Sequence, residues 1–468
     1  MTPAERHSDN PSLVPGRQPS RLATVMAYVA MAFVCITACA GMALTILVFY
    51  PGYLTRDAAY VYGYVHSWYL GDWQSPLMTM LWWLIDPISP GSGSMFLLAA
   101  TLYWLGFAVA ALAVARRSAA LAIAVLLLAL APPAFWFLAM IWRDVLFGTV
   151  WLCAAAIIYL ATDRSRDGRL DWKMRGAALA LVGLGILLRP NAIIAAPLLI
   201  AYVVWPARFE WKRTALLFVP AVLAGYGLIQ LVYYEILDVH RDNPLQSVMV
   251  FDLGGMTYLT QENQFPVSWS ADGYEDALLI TQCYDPSHWD SYWTRDPCQF
   301  VMNRLQSADD TVFGTSRLPV AWVLAVEAHP LAYLRHRAGF LWTFLAGANA
   351  TLELERMPLV DRVPLARNPY FLTIVDWHDV LKSTALFRAG TWLAVATAVV
   401  TLAWRGRATP PGAFAIAVAA CAVVYMLSFG VFGVAADFRY AYWCVVASLA
   451  GLIPALIALA SRSVLSTS

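Results

Sequence analysis

Residues 22–57 read LATVMAYVAMAFVCITACAGMALTILVFYPGYLTRD, an apolar run that ends in a Pro-Gly turn and an Arg-Asp pair. A helix needs roughly 17–25 predominantly apolar residues to cross a bilayer core about 30 Å thick. The apolar part runs from Leu22 to Tyr50, too long for a signal peptide, and no small-residue cleavage site follows it. We therefore expect a retained first membrane span, preceded by a disordered cytoplasmic tail at residues 1–21.

The composition of the whole chain agrees with this interpretation. Of the 468 residues, 60% are hydrophobic and 13% are charged, whereas soluble domains have about 45–50% apolar and about 25% charged residues. A soluble fold of this size could not cover its surface with so few charges. The formal net charge of +1 provides no basic surface for nucleic acid. These values indicate a multi-pass membrane protein whose partner is the lipid bilayer, with no nucleic-acid partner.

Further apolar windows predict the other spans. The clear windows are 22–50, 94–115, 118–140, 144–161, 214–236, 384–404, 411–432 and 440–460. Two shorter runs, 176–188 and 191–205, flank Arg189-Pro190-Asn191. We interpret these runs as two spans that meet at the outer face; the alternative is one broken helix. The sequence thus predicts an all-α polytopic fold with about ten transmembrane helices.

The distribution of positive charge predicts the orientation. About half of the 31 Lys and Arg residues fall in the short segments that are cytoplasmic if there are ten spans and an inside N-terminus. Transmembrane helices 1–7 then occupy 22–236, helices 8–10 occupy 384–468, and both termini are cytoplasmic. Two regions face outward. They are a first loop at 51–93, where we expect interfacial helices, and a loop-rich extracytoplasmic segment at 237–383.

Cysteine positions fit this sidedness. Five of the seven cysteines lie in predicted spans, where cysteine usually behaves as a small apolar residue. Cys283 and Cys298 are the two outside, close together in TQCYDPSHWDSYWTRDPCQF (281–300). A disulfide between them suits an oxidising compartment, and two unpaired thiols are the alternative.

Polar residues at four span ends converge on the predicted outer side. The four groups are Arg56-Asp57, Arg143-Asp144, Arg189-Pro190-Asn191 and Asp437-Phe438-Arg439. An acid among arginines at a membrane surface suits an anionic lipid headgroup, because guanidinium groups bind phosphate through two hydrogen bonds. The structural alternatives are a helix N-terminus capped by Thr55, cations that extend from span ends towards water, and an ion pair between Asp437 and Arg439.

A helix that begins near Asp57 would place Tyr60, Tyr64 and Trp68 on the same face as this acid. Such a row of rings suits stacking against a sugar, and anchoring at the membrane interface is the equal alternative. The histidines are dispersed and lack the close spacing of a zinc site. We therefore predict no metal site.

Five segments carry a resemblance to one known family. They are YPGYLTRDAAY (50–60), DWQSPLMTMLWWL (72–84), LLRPNAIIAAPLL (187–199), VEAHPLAYLRHR (326–337) and DFRYAYW (437–443). In their order and shared outer side they resemble the bacterial GT-C glycosyltransferases, integral-membrane enzymes that use polyprenyl-phosphate-linked sugars. Lipid A aminoarabinose transferases and protein mannosyltransferases are distantly similar.

The resemblance implies inverting transfer of a sugar from a polyprenyl-phosphate donor to a glycan, lipid or protein acceptor. Family members place their catalytic acid just after span 1, which corresponds to Asp57. Contacts to the donor phosphate are expected from Arg56, Arg143, Arg189, Arg337 and Arg439. Contacts to substrate are expected from Tyr60, Tyr64, Trp68, Gln74, Asn191 and Asp252.

Two features depart from the family pattern. Arg56 stands where many members have a second acid, and Gln74-Ser75 stands where relatives carry Lys or His. These differences weaken a metal site, so we expect no required cofactor and leave a divalent cation open. The resemblance implies the bacterial inner membrane, with an extracytoplasmic active site. The alternatives are a flippase or transporter of lipid-linked glycans, and an oligosaccharide ligase or polymerase with a pyrophosphate-linked donor.

Overall fold

The computed structural model describes residues 21–164, 171–347 and 364–463. Within these ranges the chain is helical, and β-structure is limited to isolated bridges. The first ten helices are α1 (Arg21–Phe49), α2 (Arg56–Ser67), α3 (Pro76–Ile85), α4 (Ser92–Ala115), α5 (Ala119–Leu128), α6 (Pro132–Phe135), α7 (Arg143–Arg164), α8 (Trp172–Leu188), α9 (Ala196–Val204) and α10 (Trp211–Ile229). The predicted tail at 1–21 lies outside the described residues except for Arg21.

The second half of the described chain contains ten further helices. They are α11 (Leu245–Thr260), α12 (Tyr274–Leu278), α13 (Ser291–Thr294), α14 (Phe300–Leu305), α15 (Arg317–Ala328), α16 (Pro330–Ala346), α17 (Pro369–Leu381), α18 (Ala389–Trp404), α19 (Pro410–Phe432) and α20 (Tyr442–Ser463). The segment predicted to be loop-rich therefore contains both short and regular helices. Helices α12 to α14 are short and joined by turns, whereas α11, α15, α16 and α17 are regular helices.

Six helices in the described ranges are long and apolar enough to cross a membrane. Their spans are Tyr28–Phe49, Ser92–Ala115, Arg143–Asp163, Trp211–Ile236, Pro410–Phe432 and Phe438–Ser461. A seventh is obtained if Ala119–Leu128 and Pro132–Ala139, which bend by 60°, count as one broken span. The prediction of ten spans is not confirmed.

The remaining predicted spans form helices shorter than the six candidates. Helix α18 has 16 residues, α8 has 17 and α9 has 9. At 1.5 Å per residue these lengths are about 24, 26 and 14 Å, less than a core about 30 Å thick. A 3₁₀ turn at Pro190–Ile194 separates α8 from α9, because proline lacks the amide hydrogen that would continue the helix.

The core lies between α4, α7, α19 and α20. The span in α7 is 83% buried, whereas the span that begins at Trp211 is 11% buried and forms an outer surface of the bundle. Close approach of helices depends on glycine. A Cβ at Gly106 of α4 would lie 2.7 Å from Leu152 of α7, and a Cβ at Gly41 would overlap the Trp104 ring. Small residues permit this close packing between membrane helices.

Candidate functional site

The start of α2 is fixed by capping and by a backbone bridge. Thr55 Oγ1 accepts a hydrogen bond from the Ala58 amide at 3.3 Å and another from Trp142 Nε1 at 3.0 Å. The Tyr53 amide donates to the Ala139 carbonyl at 2.6 Å, so the first loop is held against the segment that leads into α7. Asp57 therefore lies in the first turn of α2, where the helix N-terminus favours negative charge.

Asp57 forms an ion pair with Arg439, 382 residues further along the chain. Arg439 Nη1 donates to Asp57 Oδ2, while Arg439 Nε lies 3.0 Å from Asp437 Oδ2. The Arg439 amide also donates to Asp437 Oδ1 at 2.9 Å. One guanidinium therefore joins the two acids, and the connection between α19 and α20 meets the first loop here.

A second ion pair lies next to the first and is more deeply buried. Arg189 Nε is 2.9 Å from Asp144 Oδ1, and their side chains are only 9% and 4% exposed. The Tyr425 hydroxyl lies 3.4 Å from the same nitrogen, and the Arg189 guanidinium is 4.8 Å from the centre of the Tyr440 ring. This pair connects the α8–α9 break to the start of α7.

Arg143 differs from the other two arginines. Its Nη1 donates to the Trp73 carbonyl at 3.3 Å, and within the described part of the chain it belongs to no ion pair, unlike Arg189 and Arg439. Arg143 lines a cleft together with Asp57, Gln74 and Arg439. The cleft thus contains a guanidinium that lies within electrostatic range of Asp57 and Asp144 but forms no close ion pair among the described residues.

The pKa values of the two half-buried acids that contact Arg439 shift in opposite directions. Burial acts to raise the pKa of Asp57, but the guanidinium groups of Arg439, Arg143 and Arg189 together outweigh it and hold this pKa below its usual value. Burial raises the pKa of Asp437, and Arg439 offsets this only in part. The neighbouring guanidinium groups therefore favour the ionised form of Asp57.

The predicted row of rings does not line the cleft that contains Asp57. Tyr60 and Trp68 are exposed, and neither they nor Tyr64 line the cleft that contains Asp57. The centre of the Trp68 ring lies 4.7 Å from that of Trp83. The Tyr64 ring packs against the Tyr69 ring in the first loop. The face of α2 that lines the cleft carries Asp57, Ala58 and Val61 instead.

Arg337 and Asp252 lie in a different cluster. Arg337 Nε is 2.6 Å from Asp252 Oδ1, and His336 Nε2 is 3.2 Å from the same oxygen. Trp322 Nε1 donates to Asp252 Oδ2 at 2.8 Å, and Arg337 Nη1 donates to the Gly433 carbonyl at 2.7 Å. These contacts join α11, α15 and α16 to the end of α19. Neither predicted residue contacts Asp57.

Two further predicted residues lie at the edge of the site. Arg56 is exposed at the start of α2 and lies within electrostatic range of Asp290. Asn191 is half-buried in the 3₁₀ turn after Arg189, with its Oδ1 atom buried. Neither residue lines the cleft.

The sequence did not suggest Asp290, which the structure brings to the site. The Trp289 amide donates to the Val434 carbonyl at 2.9 Å, so this loop lies along the strand-like segment before Asp437. Cys283 and Cys298 form a disulfide that closes the loop. Asp290 consequently lies within electrostatic range of Asp57, Arg439 and Arg56. The cysteine spacing was the only sequence signal near it.

The arrangement can bind an anion and accept a proton in one place. Within the described ranges, no group of three or more His, Cys, Asp or Glu residues could hold a metal ion. Comparisons with protein-family models, curated proteins and solved structures give no significant match. The chemistry of the site thus comes from Asp57 in the first turn of α2 and from Arg143 and Arg439 at the starts of two candidate spans.

Proposed function

We propose that the protein is an inverting glycosyltransferase of the GT-C type. It transfers a sugar from a polyprenyl-phosphate donor to a glycan, lipid or protein acceptor on the extracytoplasmic side of the bacterial inner membrane. The observation that carries this proposal is the cleft in which Asp57, whose ionised form is favoured, lies near Arg143, a guanidinium that forms no close ion pair within the described ranges. In this pair, Asp57 could accept the proton of an acceptor hydroxyl, and Arg143 could bind the phosphate of the donor.

Asp57 is the proposed general base. As the acceptor hydroxyl oxygen attacks the anomeric carbon, the Asp57 carboxylate accepts its proton, and the bond between that carbon and the phosphate oxygen breaks. The phosphate leaves with the bonding electron pair, so a polyprenyl phosphate and an inverted glycosidic bond are formed. Asp57 then releases the proton to water. A positioned general base contributes about 10²–10⁴-fold to such a step.

The arginines have separate proposed roles. Arg143 binds the leaving phosphate, because it lines the cleft without a close ion pair among the described residues and guanidinium groups stabilise developing negative charge. Arg439 binds Asp57 in the absence of donor, and the donor phosphate competes for it and frees the base. Arg189 is a positioning residue, since its charge is already satisfied by Asp144.

The position of the cleft supports a lipid-borne donor. Arg143 and Arg439 lie at the first residues of two candidate spans, Arg143–Asp163 and Phe438–Ser461. A polyprenyl chain buried in the bilayer would deliver its phosphate to this depth. Under the ten-span prediction, the excess of Lys and Arg in the inner segments supports an extracytoplasmic position for these span ends.

The test compares envelope glycans in cells that carry the wild-type protein, Asp57→Asn or no protein, at matched membrane levels. Sugar analysis and mass spectrometry should show that Asp57→Asn loses the same sugar as the deletion, with a rate loss of about 10²-fold or more. Asp379→Asn is the matched control, because this acid is 59% exposed in a surface ion pair, and it should behave as wild type.

Two further results distinguish the alternatives. If Asp57→Asn matches wild type while the deletion still changes the envelope, Asp57 is not the base and a flippase explains the phenotype. The released lipid identifies the donor: a monophosphate agrees with the proposal, and a pyrophosphate indicates a ligase or polymerase.

Arg143→Gln should impair transfer more than Arg143→Lys, which retains the charge.

A further inference from the structure

Helices α15 and α16 present an apolar surface on the side that faces away from α11. Their inner sides are fixed to α11 through Asp252, which contacts Trp322 of α15 and both His336 and Arg337 of α16. The outer sides carry large apolar residues at helical spacing. These residues, which we call the outer stripe, are Val320, Val323, Leu324, Leu331, Leu334 and Trp342.

The exposure of the outer stripe is high for residues of this type. Leu331 is 81% exposed and Trp342 is 73% exposed. Contiguous exposed apolar surface marks a contact with another protein, a ligand or a membrane. An outer domain surrounded by water has no reason to keep six such side chains in one stripe.

The outer stripe is continuous with the membrane-facing surface of the bundle. The Phe344 ring of α16 lies 5.4 Å from the Phe429 ring of α19, and a Cβ at Gly390 of α18 would lie 2.7 Å from the Leu345 carbonyl. Next to these contacts, Val431 on the candidate span in α19 is itself exposed. The C-terminal half of α16 is therefore at the depth of the span ends.

The charges near the stripe fit the boundary between lipid headgroups and acyl chains. Arg335 is exposed beside the stripe on α16, and Glu327 is exposed near the turn at His329 that joins the helices. A long cationic side chain can extend from such a position to phosphate groups. Trp342 is of the type that concentrates at membrane–water interfaces.

We propose that α15 and α16 lie in the headgroup and acyl boundary of the bilayer, with lipid covering the outer stripe. This assigns part of the segment predicted to be extracytoplasmic to the membrane itself, and it does not depend on the proposed transferase activity. The helical hairpin formed by α15 and α16 also fixes the depth of the cleft that contains Asp57. Arg337 on α16 holds the Gly433 carbonyl, and the chain leads from there to Asp437 and Arg439.

The test measures what covers the stripe in the full-length protein, reconstituted in phosphatidylcholine vesicles. Single cysteines at Leu331→Cys and Trp342→Cys are labelled with the fluorophore NBD, in a background where the five free cysteines are replaced and the disulfide is kept. Tyr274→Cys is the matched control, because Tyr274 is 62% exposed on the outer segment but outside the stripe.

The expected result is blue-shifted NBD emission that brominated phosphatidylcholine quenches and aqueous iodide does not, at both stripe positions. The control should show the reverse pattern. Quenching of the stripe labels by iodide, as at the control position, would overturn the proposal. Protection from both quenchers, together with Leu331→Cys cross-links between two copies, would also overturn it and assign the stripe to a protein interface.

A second measurement uses the wild-type protein and so does not depend on the variants. Vesicles containing a diazirine-labelled phosphatidylcholine are irradiated, and the modified peptides are identified by mass spectrometry. Peptides from α15 and α16 should be modified to an extent similar to α10, which lies on the span that is 11% buried. Modification of α10 without modification of the hairpin would contradict the proposal.

Discussion

Breaking the buried ion pair between Asp144 and Arg189 should destabilise the protein far more than breaking an exposed one. The two groups are 2.9 Å apart, and their side chains are 4% and 9% exposed. At this distance and an effective dielectric constant of about 20, the Coulomb attraction is about 4–6 kcal/mol, most of which offsets the cost of removing both charges from water. The pair itself then contributes little.

The loss of one partner has a different consequence. Arg189→Gln or Asp144→Asn leaves a buried charge without its counter-ion, and such changes cost about 3–5 kcal/mol. The double variant removes both charges and should lie within about 1–2 kcal/mol of wild type, because the neutral amides can hydrogen-bond to each other. The coupling free energy of the cycle should therefore be large and opposite in sign to the single effects.

The assay is the free energy of unfolding in detergent, followed by intrinsic fluorescence for all four members of the cycle. Lys382→Gln is the control, since the ion pair of Lys382 with Asp379 is 46% and 59% exposed and surface pairs contribute about 0–1 kcal/mol. If the single changes cost no more than this control, the pair is accessible to water. If the double variant shows the sum of both losses, each residue acts through separate contacts.

Three other changes probe the described fold. Burial lowers the pKa of His378 to about 4, below about 6.5 in the unfolded chain, so the free energy of unfolding should be highest above pH 6.5 and fall progressively between pH 6.5 and 4. Replacing Cys283 and Cys298 with alanine opens a loop of 15 residues and should cost about 3 kcal/mol in a denaturant titration. Gly41→Ala pushes a Cβ into the Trp104 ring and should cost about 1–3 kcal/mol in thermal unfolding.

Each of these changes has its own control. His378→Phe keeps an aromatic ring against Phe387 and should remove the slope between pH 6.5 and 4; an unchanged slope would assign it to another group. A reducing agent should lower the stability of wild type to that of the double alanine variant and leave the variant unchanged. Gly227→Ala, with nothing within 4 Å of the added Cβ, should be neutral, and equal effects at both glycines would contradict the close packing of α1 and α4.

Local sequence signals predicted helices around the site. The structural alternative for the start of α2, a helix N-terminus capped by Thr55, describes this helix correctly. Thr55 caps α2 and Ser75 caps α3, each by accepting a hydrogen bond from an amide three residues later. These caps depend on neighbours in the chain, so they can be read from sequence. The ion pair between Arg189 and Asp144 could not be predicted from the sequence, because the packing of α7 against the α8–α9 break brings these two residues together.

The count of spans shows the limit of apolar windows. Residues 384–404 form one apolar window, yet the helix begins only at Ala389, after a 3₁₀ turn at Ala385–Phe387. Composition shows how apolar a stretch is, but it does not show where the α-helical hydrogen bonds begin and end. The window at 118–140 likewise breaks by 60° before Pro132, since proline interrupts the helix there.

The sequence by itself determined the all-helical, membrane-type character of this protein, because apolar content and helix caps are properties of neighbouring residues. It also indicated Asp57 as an acid of interest. Only the tertiary structure decided that Arg439 pairs with Asp57, that Arg143 forms no close ion pair among the described residues, and that Arg337 and Asp252 belong to a separate cluster. Ion pairs between residues hundreds of positions apart depend on how whole helices pack, and no local pattern encodes that distance.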